Sequence, residues 1–266
     1  MTLQERFVVG DRPELAVEVM SGSVEVRVGE PHEITVVIGG NEDLWEIDQV
    51  GDAVAIRPRS RWRGRSARMT IDVPRGTAVE VRTASAEVSL AGELGLTRVR
   101  TASGNVRAAM VAELDVSTAS GDVRVQGVGH DTNAASVSGV LEVNDVGGRL
   151  TATTASGDVR VRHLTGDVEI GTTSGDVRID HFDGAEASIR SVSGDVELGL
   201  PSGIRVRPDL STVSGRTRLP APAAPTSDAP VEPRRTVRLL IKTVSGDITL
   251  GRSDLGGLRA VIRLPG

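Results

Sequence analysis

The segment Thr154-Ala-Ser-Gly-Asp-Val-Arg-Val161 decides the fold, because close variants of it recur along most of the chain. A degenerate copy, Thr83-Ala-Ser-Ala-Glu-Val-Ser-Leu90, places Ser85 in the column of the repeated serine. The other copies place this serine at Ser103, Ser120, Ser138, Ser156, Ser174, Ser193, Ser214 and Ser245. Most of the intervals are 17 to 19 residues long. Such a unit is too short for an independent domain, so each unit must bury its apolar face against its neighbours.

Apolar and polar residues alternate within each unit. Apolar residues stand three and five positions after the repeated serine, with Arg, Glu, Asp or Thr between them. This period of two, carried by β-branched residues, predicts short strands and excludes helices. A second glycine column, about ten residues after the serine, predicts a second corner. We therefore predict an all-β protein, a β-solenoid of about 18 residues per coil with an irregular N-terminal β cap. Eight to nine coils stacked at about 4.8 Å would form a rod roughly 40 Å long.

The Ser-Gly-Asp segment is predicted to be the corner of each coil, with glycine supplying a positive φ. The corner glycines are Gly104, Gly121, Gly157, Gly175, Gly194 and Gly246. By alternation, the repeated serine and the threonine two residues before it are predicted to face inward and to form hydroxyl ladders. The aspartates that follow are predicted to cap the turn backbone, with an arginine two residues later offsetting their charge. Calcium ions bridging these carboxylates are the alternative.

The rest of the chain divides by pattern. Residues 1–80 contain strand candidates but repeat poorly, and we predict that they form the irregular β cap. Residues 81–218 carry the regular coils, and residues 219–235 are rich in Pro and Ala, which predicts a surface loop. Residues 236–266 are predicted to hold the final coil and a closing strand.

A fixed order of motifs resembles that of a known family. The repeated Ser-Gly-Asp-Val is followed by Leu198-Gly-Leu-Pro-Ser202, then by Thr212-Val-Ser-Gly215, an insertion and a final Thr243-Val-Ser-Gly-Asp-Ile248. This order is similar to that of the bacterial β-strand-repeat proteins labelled "putative adhesin", a domain family of unknown function, over roughly residues 75–250. The resemblance implies a β-solenoid. Relatives of the Lia type in Gram-positive bacteria are tied to cell-envelope stress, so it also implies a role in envelope or surface biology.

Composition narrows the function. The chain has no cysteine, which excludes disulfides and thiolate metal sites, and only 2% aromatic residues, which disfavours a carbohydrate-active enzyme. The net charge of −5 disfavours nucleic acid as a specific partner. His163 and His181 are predicted to stack in neighbouring coils, but no third ligand accompanies them, so we predict no metal site, no cofactor and no catalytic residue. Neither a secretory signal nor a long apolar run is present, which predicts a cytoplasmic location.

A basic run around Trp62 is the strongest local anomaly. It holds six arginines within 12 residues: Arg57, Arg59, Arg61, Arg63, Arg65 and Arg68. Arginine suits phosphate groups, and tryptophan can stack on a base or lie at a lipid interface. The run is therefore either a solvated strand face or loop, or a contact for an anionic membrane surface.

These patterns favour a non-enzymatic scaffold or interaction protein that is monomeric or weakly self-associating and has a protein as its main partner. One alternative is a filament-like structural protein, in which coils of different chains stack on one another. A carbohydrate-active β-helix enzyme is the third and least favoured class.

Overall fold

The structure is a computed structural model that describes residues 2–40, 42–59, 66–219 and 235–253. In these residues the chain forms 23 strands and one short 3-10 helix, Glu42–Leu44. The strands are β1 (Thr2–Val8), β2 (Glu14–Val19), β3 (Ser21–Val28), β4 (Glu33–Gly39), β5 (Trp45–Val50), β6 (Ala53–Pro58), β7 (Ser66–Val73), β8 (Ala78–Thr83), β9 (Glu87–Thr101), β10 (Val106–Thr118), β11 (Val123–Val128), β12 (Thr132–Ser136), β13 (Leu141–Val146), β14 (Leu150–Thr154), β15 (Val159–Leu164), β16 (Val168–Thr172), β17 (Val177–Phe182), β18 (Glu186–Ser191), β19 (Val196–Leu200), β20 (Arg205–Thr212), β21 (Thr217–Arg218), β22 (Thr236–Thr243) and β23 (Ile248–Arg252). Within this part of the chain, no helix is both long and apolar enough to cross a membrane.

The strands build a β-solenoid, which confirms the predicted fold class. Each coil contributes one strand to each of two sheet faces. Within each face the neighbouring strands run parallel. The first face runs β6–β2–β8–β9–β10–β12–β14–β16–β18–β22–β20. The second face runs β7–β3–β9–β10–β11–β13–β15–β17–β19–β23–β21. The long strands β9 and β10 pass from the second face to the first and so belong to both.

One apolar core fills the space between the two faces. Inward positions hold Val, Ile and Leu, and equivalent residues of successive coils stack in columns, as in Val159, Val177, Val196 and Ile248. Each of these four side chains is at most 1% exposed. Because every coil buries its apolar side chains against the coils beside it, the stack stabilises units that could not fold alone.

The spatial order of the coils differs from the chain order at both ends of the stack. The β2–β3 coil lies between the β6–β7 coil and the β8–β9 coil. Likewise, the β22–β23 coil lies between the β18–β19 coil and the β20–β21 coil. These pairings give eleven layers rather than the predicted eight to nine coils. Parallel pairing needs only a matching inward pattern, so alternation within a strand does not specify which coil lies next to it.

Strands β1, β4 and β5 cover the N-terminal end of the stack. Strand β4 pairs antiparallel with β7, β1 pairs antiparallel with β4, and β5 pairs antiparallel with β6. The other strands before residue 80 continue the parallel stack, although they lack a clear sequence repeat. The division into four segments stays a prediction. The predicted Pro/Ala-rich loop lies outside the described residues except for Leu219 and Arg235, and so does the predicted closing strand.

The corner glycines do not adopt the predicted positive φ. The glycines with positive φ are Gly22, Gly40, Gly51, Gly76, Gly92 and Gly203. None of the six predicted corner glycines is among them, and only Gly22 stands at a corner, that of the β2–β3 coil. The corner needs glycine because of close packing between layers. A Cβ on Gly157 would lie 2.1 Å from the carbonyl oxygen of Gly139 in the layer before it, and one on Gly175 would lie 1.9 Å from that of Gly157. The glycines therefore form a column in which successive backbones touch.

Candidate functional site

The repeated corner begins with a buried hydroxyl. The Oγ1 atom of Thr154 accepts a hydrogen bond from the backbone N–H of Gly157 at 2.9 Å. Thr101, Thr118 and Thr172 make the same bond to the glycine three residues later at 2.8 to 3.0 Å. These threonines are at most 8% exposed, which confirms their predicted inward direction. Their role is structural, because each hydroxyl satisfies a backbone donor at a buried turn.

The repeated serine, in contrast, faces solvent, so its predicted inward direction is wrong. Ser103, Ser120, Ser138, Ser156 and Ser174 are all exposed. Their backbone N–H groups donate to the preceding layer, as Ser156 does to the carbonyl oxygen of Val137 at 2.7 Å. The turn interrupts the alternation of the strand, and two consecutive side chains therefore point outward before the glycine turns the chain inward.

The first of these two outward positions forms a continuous apolar column along the stack. We call it the corner ridge: Met20, Ala84, Ala102, Ala119, Val137, Ala155, Thr173, Val192, Val244 and Val213, in their spatial order. Only Thr173 among these ten residues is polar. Val137 is 55% exposed and Val213 is 80% exposed. Near its N-terminal end the ridge borders an open groove that Arg82 and Arg100 also line.

Charges of opposite sign flank the corner ridge. On the side of the first face, exposed basic residues stand two positions before the ridge residue at Arg82, Arg100, Arg190 and Lys242. On the side of the second face, acidic residues stand three positions after the ridge residue at Glu87, Asp122, Asp158, Asp176, Asp195 and Asp247. The ridge is therefore an apolar strip with a partly basic border and an acidic border.

The acidic border is an aspartate ladder that caps backbone donors, as the sequence predicts. The Oδ1 atom of Asp158 accepts the N–H of Asp176 at 3.1 Å, and Oδ1 of Asp176 accepts the N–H of Asp195 at 2.9 Å. The ladder continues from Asp195 to Asp247 and from Asp247 to Arg216, both at 2.8 Å. These bonds occupy one oxygen of each carboxylate, which favours turn capping over the calcium alternative.

The predicted arginine partners neutralise only part of this ladder. Arg124 contacts Asp122 at 3.1 Å, and Arg160 contacts Asp158 at 2.7 Å. Arg178 instead contacts Asp180 and Glu197, each at 2.8 Å. The hydrogen bond to Asp180, together with the charges of both acids, raises the pKa of Arg178.

The basic run is only partly described. Arg61, Trp62, Arg63 and Arg65 lie outside the described residues, so their predicted role as an anionic contact stays a prediction. Arg57 is exposed at the end of β6, and Arg68 is exposed within β7. The Nε atom of Arg59 donates to the carbonyl oxygen of Trp45 at 2.8 Å.

The histidines fall into two groups. His163 and His181 stand opposite each other in β15 and β17, with ring centroids 5.1 Å apart, as the sequence predicts. His32 and His130 are exposed elsewhere in the described chain.

Strict alternation cannot reveal the corner ridge, because the turn breaks the alternation there. The signal that could have revealed it is the motif position between threonine and serine. That position is Ala or Val in most copies, although a solvent-facing turn favours polar residues.

The chain was compared with solved structures, with curated proteins and with protein families. The crystal structure of a "putative adhesin" from Parabacteroides merdae is 12% identical, with 94% of this chain and 95% of that chain covered and a TM-score of 0.48. A "putative lipid binding protein" from Parabacteroides distasonis is 14% identical, with coverage of 94% and 96% and a TM-score of 0.49. No curated protein matches the chain significantly. The family described as Toastrack DUF4097 matches residues 13–251, nearly the whole solenoid and most of its cap. The chain therefore belongs to the Toastrack DUF4097 family.

Proposed function

We propose that this protein is a non-enzymatic binding scaffold that holds a protein partner along the corner ridge. The observation that carries the proposal is the ridge itself, which places one outward side chain in ten of the eleven layers, apolar in every layer but that of Thr173 and exposed in all except half-buried Ala84. Successive ridge residues stand about 4.8 Å apart, so the strip extends over roughly 40 Å. A contiguous exposed apolar strip bordered by polar residues is typical of an interaction surface.

The charges beside the ridge favour a protein as the partner. Nucleic acid or an anionic bilayer seated on the ridge would meet the carboxylates of Asp158, Asp176 and Asp195. A protein surface can present an apolar strip together with charges of both signs. Complementary charges of this kind set the orientation of a partner more than its affinity.

Site-specific crosslinking tests the proposal, because a chain without cysteine can be labelled at one chosen position. A photo-crosslinker is attached to Ala119→Cys on the ridge and, as the matched control, to Asn133→Cys on the exposed surface of β12. We expect one protein to be captured from Ala119→Cys and not from Asn133→Cys. The purified partner should then bind the unlabelled chain, and Val137→Asp should weaken that binding at least tenfold. Equal capture from both positions, or binding that Val137→Asp leaves unchanged, contradicts the proposal.

Sedimentation with anionic liposomes tests two other classes. The variant that replaces Arg59, Arg61, Arg63 and Arg65 with Ser is compared with the wild type, with and without lipid. We expect both proteins to stay in the supernatant. If the wild type pelleted only with lipid and the variant did not pellet, the partner would be a membrane surface rather than a protein. That result would support the envelope role that the family resemblance implies. Pelleting without lipid would support the filament-like class.

Catalysis and location need separate measurements. We expect no release of reducing ends from bacterial and plant polysaccharides, and turnover of any of them would favour the enzyme class. The cytoplasmic location stays a prediction, which cell fractionation tests.

A further inference from the structure

Three side chains near the C-terminal end of the second face bring ligand atoms together. His163 lies in β15, His181 lies next to it in β17, and Asp183 directly follows β17. One ligand atom from each of the three lies within 4.8 Å of the other two. The Oδ2 atom of Asp183 is 3.4 Å from Nε2 of His181 and 3.8 Å from Nε2 of His163. Two imidazole nitrogens and one carboxylate oxygen therefore lie close together, and Asp183 supplies the third ligand atom that the spacing of the two histidines does not reveal.

The remaining polar atoms of these three side chains have their own partners. Nδ1 of His163 is 3.6 Å from Oδ1 of Asp145. Nδ1 of His181 is 2.6 Å from Oγ of Ser253. Arg235 donates to Oδ1 of Asp183, which leaves Oδ2 directed at the histidines. Metal-binding histidines usually have their second ring nitrogen held by a carboxylate or another polar group, because this fixes the ring and its tautomer.

We propose that His163, His181 and Asp183 form a binding site for a divalent transition-metal ion of the Zn²⁺ class. Nitrogen from imidazole and oxygen from carboxylate suit Zn²⁺, Co²⁺ and Ni²⁺ better than Ca²⁺ or Mg²⁺. Tetrahedral bonds of about 2.0–2.2 Å place ligand atoms roughly 3.3 Å apart, so small side-chain rotations would bring these ligands into range. His163 and Asp183 are 26% and 38% exposed, which leaves the fourth coordination position open to water.

The site would connect parts of the chain that are distant in sequence. His163 and His181 belong to neighbouring coils, whereas Arg235 precedes β22 and Ser253 follows β23. The ion would therefore stabilise the region where the β22–β23 coil is inserted into the stack. This role is independent of the corner ridge, and its test does not require a partner protein.

The test uses untagged protein that has been dialysed against a chelator and then titrated with Zn²⁺ in a calorimeter. We expect one ion to bind per chain. Asp183→Asn and His163→Gln should each weaken binding at least 100-fold, whereas the control His130→Gln should leave it unchanged. Asp145→Ala should weaken binding about 10- to 100-fold, because it removes only the group that orients His163.

Substitution with Co²⁺ gives a readout that does not depend on the variants folding. The wild type should show the visible absorption bands of a four-coordinate cobalt ion with nitrogen and oxygen ligands. A wild type without these bands and without one-to-one Zn²⁺ binding would overturn the proposal. Zn²⁺ binding by Asp183→Asn that equals the wild type, in protein shown to be folded by circular dichroism, would overturn it as well.

Discussion

At Gly157, a hydrogen atom is the only side chain that the neighbouring layer admits. A Cβ there would lie 2.1 Å from the carbonyl oxygen of Gly139 and 2.8 Å from Oγ1 of Thr154. Both contacts involve groups that the fold holds in place, since the Thr154 hydroxyl accepts the N–H of Gly157. Any substitution must therefore push two layers apart.

Gly157→Ala should destabilise the protein by about 2 kcal/mol or more, because overpacking against fixed backbone is expensive. Gly171→Ala is the matched control, since a Cβ at Gly171 would have no neighbour within 4 Å. The control should leave stability unchanged or raise it slightly. Urea denaturation followed by circular dichroism measures both variants. Equal midpoints would show that the corner tolerates a side chain.

Asp176 illustrates what the aspartate ladder contributes. Its Oδ1 accepts the N–H of Asp195 at 2.9 Å, while its own N–H donates to Asp158. Asn105 makes the equivalent bond to the N–H of Asp122 at 3.0 Å with an amide oxygen. The acceptor, rather than the charge, is therefore the feature that the turn requires.

Asp176→Ala should cost about 1 kcal/mol, because it removes the acceptor of a backbone donor. Asp176→Asn should cost less, because it keeps the acceptor and removes one of several neighbouring negative charges. Thermal denaturation of the two variants side by side decides this. If asparagine were as destabilising as alanine, the charge itself would be the stabilising feature, and the calcium alternative would regain support.

Alternation within each strand predicts most of the fold at the scale of single elements. It indicates which side chains enter the core, and the threonine column at the corner follows the same rule. The rule fails at the repeated serine, because a tight turn exposes two residues in succession. It also cannot predict Ser253 beside His181, since that contact depends on which coils are neighbours.

The order of the coils at the C-terminal end is the element-scale feature that the sequence leaves open. Coils stacked in chain order would place Val213 next to Val192. In the structure, Val244 lies between them, because the N–H of Ser245 donates to Val192 and the N–H of Ser214 donates to Val244. The two arrangements use the same inward pattern and differ only in pairing.

Engineered disulfides distinguish the two orders in a chain that has no other cysteine. We expect Val192→Cys with Val244→Cys to crosslink on mild oxidation, because adjacent layers lie about 4.8 Å apart and disulfides span Cα distances of about 4.4–6.8 Å. Val192→Cys with Val213→Cys should not crosslink, since two layers separate these positions by about 9.6 Å. Mass spectrometry after digestion without reductant identifies the bond. The reverse result would mean that the coils stack in chain order.

At the scale of the whole molecule, the solenoid is a row of layers in which each layer contacts only its neighbours. Eleven layers at about 4.8 Å give a stack roughly 50 Å long. Each interior layer is stabilised by contacts with a layer on either side. The two end layers have a neighbour on one side only, so their other side needs a cap. At the N-terminal end, β4 pairs with β7, and β1 pairs with the other edge of β4. Their antiparallel direction interrupts the parallel pairing that another copy would need to extend the stack.

Deleting residues 2–8 should make the protein self-associate more strongly than the full-length chain as its concentration rises. The deletion removes β1 and exposes the edge of β4, whose Ile34, Val36 and Ile38 are at most 1% exposed in the intact protein. Sedimentation velocity over a range of concentrations measures the change. Adding Val37→Lys to the deleted chain is the control, because a charged side chain on an exposed edge strand opposes pairing, and it should reverse the added self-association. If the deleted chain associated no more than the full-length protein, β1 would not be the element that limits growth of the stack.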